Sequence, residues 1–327
     1  MPEPKKAVIT LNSLMRHMRE SGIEISGSAE KQQLLLIGYF HGYKGYRYTQ
    51  PPENRIPFSG FSQLVSIVDF DSEIKAALYR PVMQLETALK SIATEEILKA
   101  AQSESLNIIM EKLMHAEGHK KASDYRKRKY QVRDMIHASL TEAYSNKRGH
   151  IVSHYYNADK GVPIWAIFET ITLGQFARFI DLLDPAVKIA ISEHLKIPLN
   201  LNTNGALLPK IIYLLQDVRN AIAHNNVIFD GRHHKTRAVD QTIRQYISSL
   251  IGIRSLDFSS IADDILLIFV LLTNLQTNKN VLINSVERIA NAFTEVYTHL
   301  GASLYMRIIP NDSQNKLRSL IGFIRKS

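Results

Sequence analysis

The chain has 327 residues, 45% of them hydrophobic, so it is long enough to bury a substantial core and is predicted to be globular rather than disordered. It contains no cysteine, which excludes disulfides, thiolate metal sites and a catalytic thiol, and which fits a cytoplasmic protein. The 40 basic and 31 acidic residues leave a net charge of +9, which favours a polyanionic partner such as nucleic acid.

The N-terminal residues 1–6 lack the apolar stretch of a signal peptide. Glycine and proline are sparse along the chain, and apolar residues recur at helical spacing with little strand-like alternation. This pattern predicts an all-α fold without internal repeats. Ser28 is predicted to cap an early helix that ends near Gly38.

An aromatic and glycine-rich segment, residues 39–48, follows this helix. Three tyrosines alternate there with two cations: Tyr43, Tyr46 and Tyr48 with Lys44 and Arg47. A tightly packed turn is the favoured interpretation, and a platform that stacks nucleic-acid bases is the alternative. The prolines at positions 51 and 52 exclude a helix in the loop that comes next.

Two successive helices are predicted from Phe61 to about Ala101, with Pro81 at or near their boundary. Residues at steps of three and four mark one apolar face, namely Leu78, Val82, Leu85, Leu89 and Ile92. Glu86 and Glu169 are considered as a carboxylate pair for acid–base chemistry. Pairing of each carboxylate with an Arg or Lys is the favoured interpretation.

Residues 112–148 carry ten basic and four acidic side chains, so they hold +6 of the net charge of +9. Apolar spacing is weak here, and the segment is interpreted as a partly exposed connector or basic helix. Its surface is either a solvated face or a phosphate-binding face. The RNA-binding candidates are Arg126, Lys127, Arg128, Lys129 and Arg133. The predicted division is an N-terminal helical region at 1–110, a basic connector at 111–150 and a helical domain at 151–327.

Two histidines, the single tryptophan and a predicted helix start follow the basic segment. His150 and His154 are assigned to helix packing or RNA contact rather than to a metal site, since no glutamate lies between them and no third ligand is evident. Trp165, the only tryptophan, is assigned to the core. Asp184 and Pro185 predict the start of a helix.

A helix with one continuous apolar stripe is predicted after a turn at residues 202–205, and the stripe consists of Leu208, Ile211, Leu215, Val218 and Ile222. Asp230 and Gly231 mark its exit, and His233 and His234 are assigned to a solvated basic loop that is a weaker candidate for RNA contact. Further on, Ser260 and Asp263 resemble a capping box. The apolar run from Ile265 to Leu272 is too short to span a bilayer and predicts a buried core helix.

The most informative stretch, RNAIAH at residues 219–224, lies at the end of the striped helix. It places one fixed cation, one amide and one imidazole within two helical turns. Arg219 is expected to reach towards His224, and Asp217 to pair with Arg219 or to orient His224. Four polar residues share a face that is offset from the apolar stripe and is predicted to meet solvent or a partner: Tyr213, Asp217, Asn220 and His224.

This group of residues is suited to RNA cleavage without a metal or cofactor, because RNA supplies its own nucleophile, the 2′-OH. Cleavage requires that this hydroxyl be deprotonated, that the phosphorane charge be stabilised and that the 5′-oxygen be protonated. A histidine titrates near neutral pH and can transfer the protons. An arginine matches phosphate geometry with two parallel hydrogen bonds. The candidate catalytic residues are therefore Arg219, Asn220 and His224, with Asp217 as possible support.

Four short blocks follow one another along the chain: LIGYF and GY at 36–40 and 45–46; DFDSEI and QLETALK at 69–74 and 84–90; HYY, PIW, Glu169 and LG between 154 and 174; and VRNAIAHN at 218–225. In this order they resemble the Abi (AbiD/AbiF-type) abortive-infection family of bacteria, within the HEPN superfamily of helical ribonucleases. The resemblance implies a HEPN-type helical bundle with an additional N-terminal helical region, metal-independent RNA cleavage or binding, and a role in phage defence or toxin–antitoxin behaviour. It also implies that Arg219, Asn220 and His224 form the active site.

The single copy of the motif implies a homodimer with both copies at the interface. Lys75 and Lys90 stand where the family pattern has arginines, so charge is kept and bidentate phosphate recognition is not. Asn226 occupies the place of a tyrosine that partner nucleotidyltransferases modify in some relatives, so that mode of control is not expected.

Three hypotheses remain at this point. The first is a HEPN-type endoribonuclease, acting as a homodimer without cofactor or membrane association, and regulated by an antitoxin or a noncoding RNA. The second is a non-catalytic RNA-binding immunity factor, bound to a dedicated noncoding RNA. The third is a helical adaptor with no nucleic-acid role.

Overall fold

A computed structural model describes residues 10–49, 54–116, 121–146, 150–234 and 239–327. Sequence predictions for residues 1–6, for the prolines at 51 and 52 and for Lys120, Lys147 and Arg148 lie outside these ranges. Within the ranges the chain forms helices and three isolated β-bridges, but no β-strand. The predicted all-α class is confirmed.

Fourteen α-helices are defined within the described ranges. They are α1 Leu11–Glu20, α2 Gly27–Ile37, α3 Phe61–Ala101, α4 Leu106–Leu113, α5 Ala122–Ser145, α6 His150–Asn157, α7 Ile164–Thr170, α8 Leu173–Leu182, α9 Pro185–His194, α10 Leu207–Ala223, α11 Gln241–Ile251, α12 Ile261–Asn274, α13 Lys279–Ile308 and α14 Ser313–Lys326. Helix α13 is broken at Gly301, where the backbone is not helical. A π-helical turn at Tyr39–Lys44 and short 3₁₀ turns at Leu199–Leu201 and Arg232–His234 complete the described structure.

Helix α3 forms the centre of the fold and packs against α9, α10, α12 and α13. It runs without interruption through Pro81, so the prediction of two helices that meet there is wrong. An interior proline costs a helix about 3 kcal/mol, but Pro81 is buried on the face that meets the core, and packing outweighs this cost. The predicted apolar face is confirmed: Leu78, Val82, Leu85 and Leu89 are buried and Ile92 is partly buried.

Every residue of α12 is buried, which confirms the core helix predicted from the run Ile265 to Leu272. Ser260 caps this helix by accepting a hydrogen bond from the Ala262 N–H. The predicted capping box is wrong in its second half, because the Asp263 carboxylate accepts from the backbone N–H groups of Asp257 and Phe258 instead. Within the described residues, no helix combines the length and apolarity needed to cross a bilayer.

The basic segment contains a regular helix, α5, with one buried face formed by Tyr125, Val132, Ile136 and Leu140. This face packs against α6, α7 and α8. The apolar spacing of this face is weak in the sequence because the four consecutive charges at 126–129 separate Tyr125 from Val132. The division of the chain at residues 110 and 150 stays a prediction.

Three smaller predictions are corrected or confirmed. The N-cap of α2 is Ser26 rather than Ser28, which lies in its first turn. Trp165 is 39% exposed and lies edge-on to Tyr155, so its assignment to the core is wrong. The packed-turn interpretation of the aromatic segment is confirmed, since Tyr43 and Tyr46 are both buried.

Candidate active site

The RNAIAH stretch lies where α10 ends, as predicted. The apolar stripe of α10 is buried from Leu208 to Val218 and holds the helix against α3 and α8. His224 is the C-cap residue, exposed to solvent, and its backbone N–H donates to the Asn220 carbonyl. The helix therefore presents the imidazole at its carboxyl end.

Arg219 turns towards α3 instead of towards His224. Its Nε donates to Glu86 Oε2 at 3.2 Å, and its Nη1 lies 3.5 Å from Asn220 Oδ1. Glu86 also pairs with Lys90 at 3.0 Å, which confirms the prediction that it binds cations. Glu169 is exposed on α7. One terminal nitrogen of Arg219, Nη1, therefore stays beside Asn220.

The loop after His224 is anchored to α3 by one buried carboxylate, that of Asp71. Its Oδ1 accepts from the backbone N–H groups of Ile228 and Phe229, both at 2.9 Å. Its Oδ2 accepts from the Tyr46 hydroxyl at 2.6 Å and pairs with Lys75 Nζ at 2.7 Å. Burial and the Asp71 charge raise the pKa of Tyr46 far above its usual range, so this hydroxyl remains a donor.

Lys75 extends the same network to the residue that follows the motif histidine. Its ammonium donates to Asn225 Oδ1 at 2.9 Å. Lys75 and Lys90, the two positions where the family pattern has arginines, are both buried in ion pairs within the fold. Their charge here organises the site and is not displayed to a ligand.

Arg232 fixes the far end of the loop to the aromatic segment. Its guanidinium donates to the carbonyls of Gly45 and Tyr48 and pairs with Asp230 at 2.7 Å. Gly231 just before it has a φ of +66°, and a Cβ there would lie 2.5 Å from the Phe258 carbonyl oxygen. Only glycine fits this close approach without strain.

The side chains of His233 and His234 are buried, so their assignment to a solvated basic loop is wrong. Their Nε2 atoms lie 3.2 and 2.8 Å from the two carboxylate oxygens of Asp264, and His234 Nδ1 lies 3.6 Å from Asp217 Oδ2. Burial alone would lower the pKa of His234, but the charges of Asp264 and Asp217 outweigh it and raise this pKa to about 10. Burial would conversely raise the pKa of Asp264, and the two imidazoles lower it to about 2. Asp217 thus faces His234, which takes the place of its predicted partners.

The two histidines and Asp264 also form the one group of possible metal ligands among the described side chains. His233, His234 and Asp264 bring one ligand atom each within 4.8 Å of one another. Those atoms contact each other directly, and a cationic His234 neutralises the buried carboxylate. We therefore assign the group as a hydrogen-bonded cluster that supports α10.

A cleft of about 420 Å³ opens beside the last two turns of α10. Its wall includes the candidate residues Asp217 and Asn220. It also includes Arg232 and His233, from the loop that is the weaker candidate for RNA contact, and His41, which is not predicted from the sequence. Arg219 and His224 do not line it. The structure therefore brings Asn220 and Asp217 to one cavity, with Arg219 behind them and His224 at the exposed helix end.

The five RNA-binding candidates of α5 differ in their surroundings. Arg126 and Lys127 are exposed. Arg128 pairs with Asp181, Lys129 donates to the Met114 carbonyl, and Arg133 pairs with Asp134 and lies over the Tyr130 ring. Burial lowers the pKa of Lys129. Lys129 is therefore engaged in packing, while the other four can reach a ligand.

Comparison with known proteins adds one finding. A family model described as Abi-like protein matches residues 32–230, which is more than half of the chain and includes the cleft except for Arg232 and His233. No curated protein and no solved structure matches the chain.

Proposed function

Because the chain belongs to the Abi-like protein family, a membership that suggests abortive infection of phage-infected cells, we propose that it is a metal-independent endoribonuclease of the HEPN type. The observation that carries the proposal is the end of α10. An amide that faces a cleft, a guanidinium at its side and an exposed imidazole all lie there within six residues.

In this mechanism His224 transfers the proton, Arg219 stabilises the phosphorane charge and Asn220 positions the phosphate. Glu86 accepts from Nε of Arg219 and Asn220 lies beside Nη1, so the guanidinium is oriented while Nη2 and the second hydrogen of Nη1 remain for two phosphate oxygens. Asp71 and Lys75 fix the loop at Asn225 and Ile228, which limits the positions that His224 can adopt. Precise placement of this kind is worth a large share of a catalytic rate.

We extend the proposal to a cytoplasmic homodimer. One chain supplies a single copy of the motif, and HEPN ribonucleases build one active site from two copies. The exposed end of α10 would then meet the same element of a second copy about a two-fold axis. An antitoxin or a noncoding RNA would regulate the assembled enzyme.

Purified protein incubated with bulk RNA tests the assignment. His224→Ala is expected to abolish cleavage without unfolding, because its side chain is exposed. Arg219→Lys is expected to lose most of the activity, since an ammonium cannot replace the planar fork. His299→Ala, at an exposed histidine on α13, is the matched control and should cleave like the parent. Unchanged rates in both motif variants would refute the assignment.

The products and the response to chelators test the mechanism. Cleavage should survive EDTA and leave 2′,3′-cyclic phosphate ends, because the 2′-OH is the nucleophile. Activity that is lost with chelator and restored by a divalent cation would contradict it.

A second candidate function is RNA binding without cleavage, as an immunity factor that holds a noncoding RNA. It is favoured by the ion pair that turns Arg219 towards Glu86 and away from His224. RNA that binds tightly, resists cleavage and is insensitive to His224→Ala would establish it in place of the ribonuclease.

A further inference from the structure

A second cavity lies on the same side of α10 as the cleft, where α10 meets α5 and α8. It has a volume of about 230 Å³ and is lined by Arg128, Gln131, Val132, Arg178, Leu182 and Tyr213, among others. We propose that it is a nucleotide subsite, which binds the RNA strand a few nucleotides away from the bond that is cleaved. This inference rests on the proposed function and names a substrate contact that the motif does not include.

The charges around the cavity favour a phosphate. Arg178 is exposed on α8 and, among the described residues, has no hydrogen bond or ion pair. Arg128 approaches from α5, half exposed and paired with Asp181. The cavity is thus lined by two guanidinium groups, of which only Arg128 is paired with a carboxylate. Their planar forks suit phosphate oxygens better than ammonium groups do.

The remaining lining residues favour a base. Val132 and Leu182 are buried side chains that give the cavity an apolar floor. The Tyr213 ring stands at its wall, partly exposed, and Gln131 adds an amide that can donate to or accept from a base edge. An aromatic ring beside a cationic rim is the usual arrangement for single-stranded nucleic acid.

Helix geometry connects the subsite to the motif. Tyr213 lies seven residues before Asn220, on the face of α10 that also carries Asp217, so the two cavities follow one line along the helix. At about 1.5 Å per residue they are separated by about 10 Å. A stacked strand rises about 3.4 Å per nucleotide, so about three nucleotides bridge the gap.

The experiment uses the full chain with His224→Ala, which binds without cleaving, and two fluorescein-labelled single-stranded RNAs. One of about twelve nucleotides is long enough to fill both cavities, and one of about two nucleotides is too short to bridge them and is expected to bind at the motif cleft alone. Arg178→Gln is expected to weaken binding of the long RNA about tenfold, the loss typical of one base or phosphate contact. It should change binding of the short RNA less than twofold.

The control is Arg318→Gln, at an exposed arginine of α14, which packs against α11, α12 and α13. It should leave both affinities unchanged. Equal losses for the long and the short RNA would mean a general charge effect and would overturn the subsite. Equal affinity of the parent and Arg178→Gln, with His224-dependent cleavage intact, would overturn the subsite and leave the ribonuclease standing. If the parent binds no RNA, both proposals fall.

Discussion

Asp71→Asn is the substitution that most directly tests how the site is held together. The side chain is fully buried, and its two oxygens receive two backbone N–H groups, one hydroxyl and one ammonium. The introduced amide can keep Oδ1 and therefore the bonds from Ile228 and Phe229. Its NH₂ group would face the Lys75 ammonium, which can only donate.

The expected cost follows from these partners. Removing one member of a buried ion pair costs about 3–5 kcal/mol, because the other charge stays buried without compensation. The retained backbone hydrogen bonds weaken as well, since a neutral oxygen accepts less strongly than a charged one. The contributions share one centre and are not additive. We expect a loss of about 4 kcal/mol in the free energy of unfolding.

Urea unfolding followed by circular dichroism measures this loss. Asp69→Asn is the matched control, two residues earlier on α3 and with an exposed side chain. It should leave stability unchanged or slightly higher, because partial desolvation of the carboxylate raises the pKa of Asp69. Adding Lys75→Met to Asp71→Asn should recover part of the loss, since it removes the orphaned charge. A loss below about 1 kcal/mol, with no recovery in the double variant, would refute this account of the network.

Three further predictions concern His234, Gly231 and the basic face of α5. The pKa of His234 is raised to about 10, so the stability that its charge contributes is complete below about pH 6.5 and is lost as the pH rises towards 10, by up to about 1.4 kcal/mol per pH unit. In urea titrations at several pH values, His234→Gln should flatten this dependence, and His194→Gln, at an exposed histidine, should not. Gly231→Ala should lower the free energy of unfolding by about 2 kcal/mol more than Gly252→Ala, because both glycines have a positive φ but only a Cβ at residue 231 would crowd a carbonyl oxygen. Equal losses would show that the backbone at residue 231 relaxes at no cost. Four α5 residues changed together to glutamine should flatten the slope of log affinity for RNA against log salt by roughly two, with the helical signal retained; they are Arg126, Lys127, Arg128 and Lys129. An unchanged slope would mean that this face is solvated and does not bind phosphate.

The parts of the fold that the sequence predicts are those governed by local spacing. The stripe of α10, the buried run of α12 and the packed tyrosine turn each follow from neighbours within a few residues. The helix boundary predicted at Pro81 is wrong because helix propensity gives the local cost of a proline but not the burial that offsets this cost. Trp165 was misplaced because size and apolarity do not say which side of a helix meets the core.

The site was only partly predictable for the same reason. The motif at residues 219–224 is evident in the sequence, but the carboxylates that stabilise its surroundings come from distant parts of the chain. Glu86 binds Arg219, Asp71 binds the loop after His224, and Asp264 binds His233 and His234. No periodicity links such residues. One signal was available, since Asp71 and Glu86 each stand four residues before a lysine and both pairs lie along the apolar face of α3. Charge pairs on a face otherwise assigned to the core predict buried ion pairs.

The complete burial of α12 has a consequence for synthesis of the chain on the ribosome. Part of its cover is α3, which is made earlier, but α13 and α14 follow it. At about 5–20 residues per second, several seconds pass before these helices have been translated. During that interval a sequence as apolar as that from Ile265 to Leu272 has one side uncovered, so the nascent chain is expected to depend on chaperone protection at this stage. A ribosome stalled between Asn274 and Lys279 would release a product more prone to aggregate than one stalled before α12.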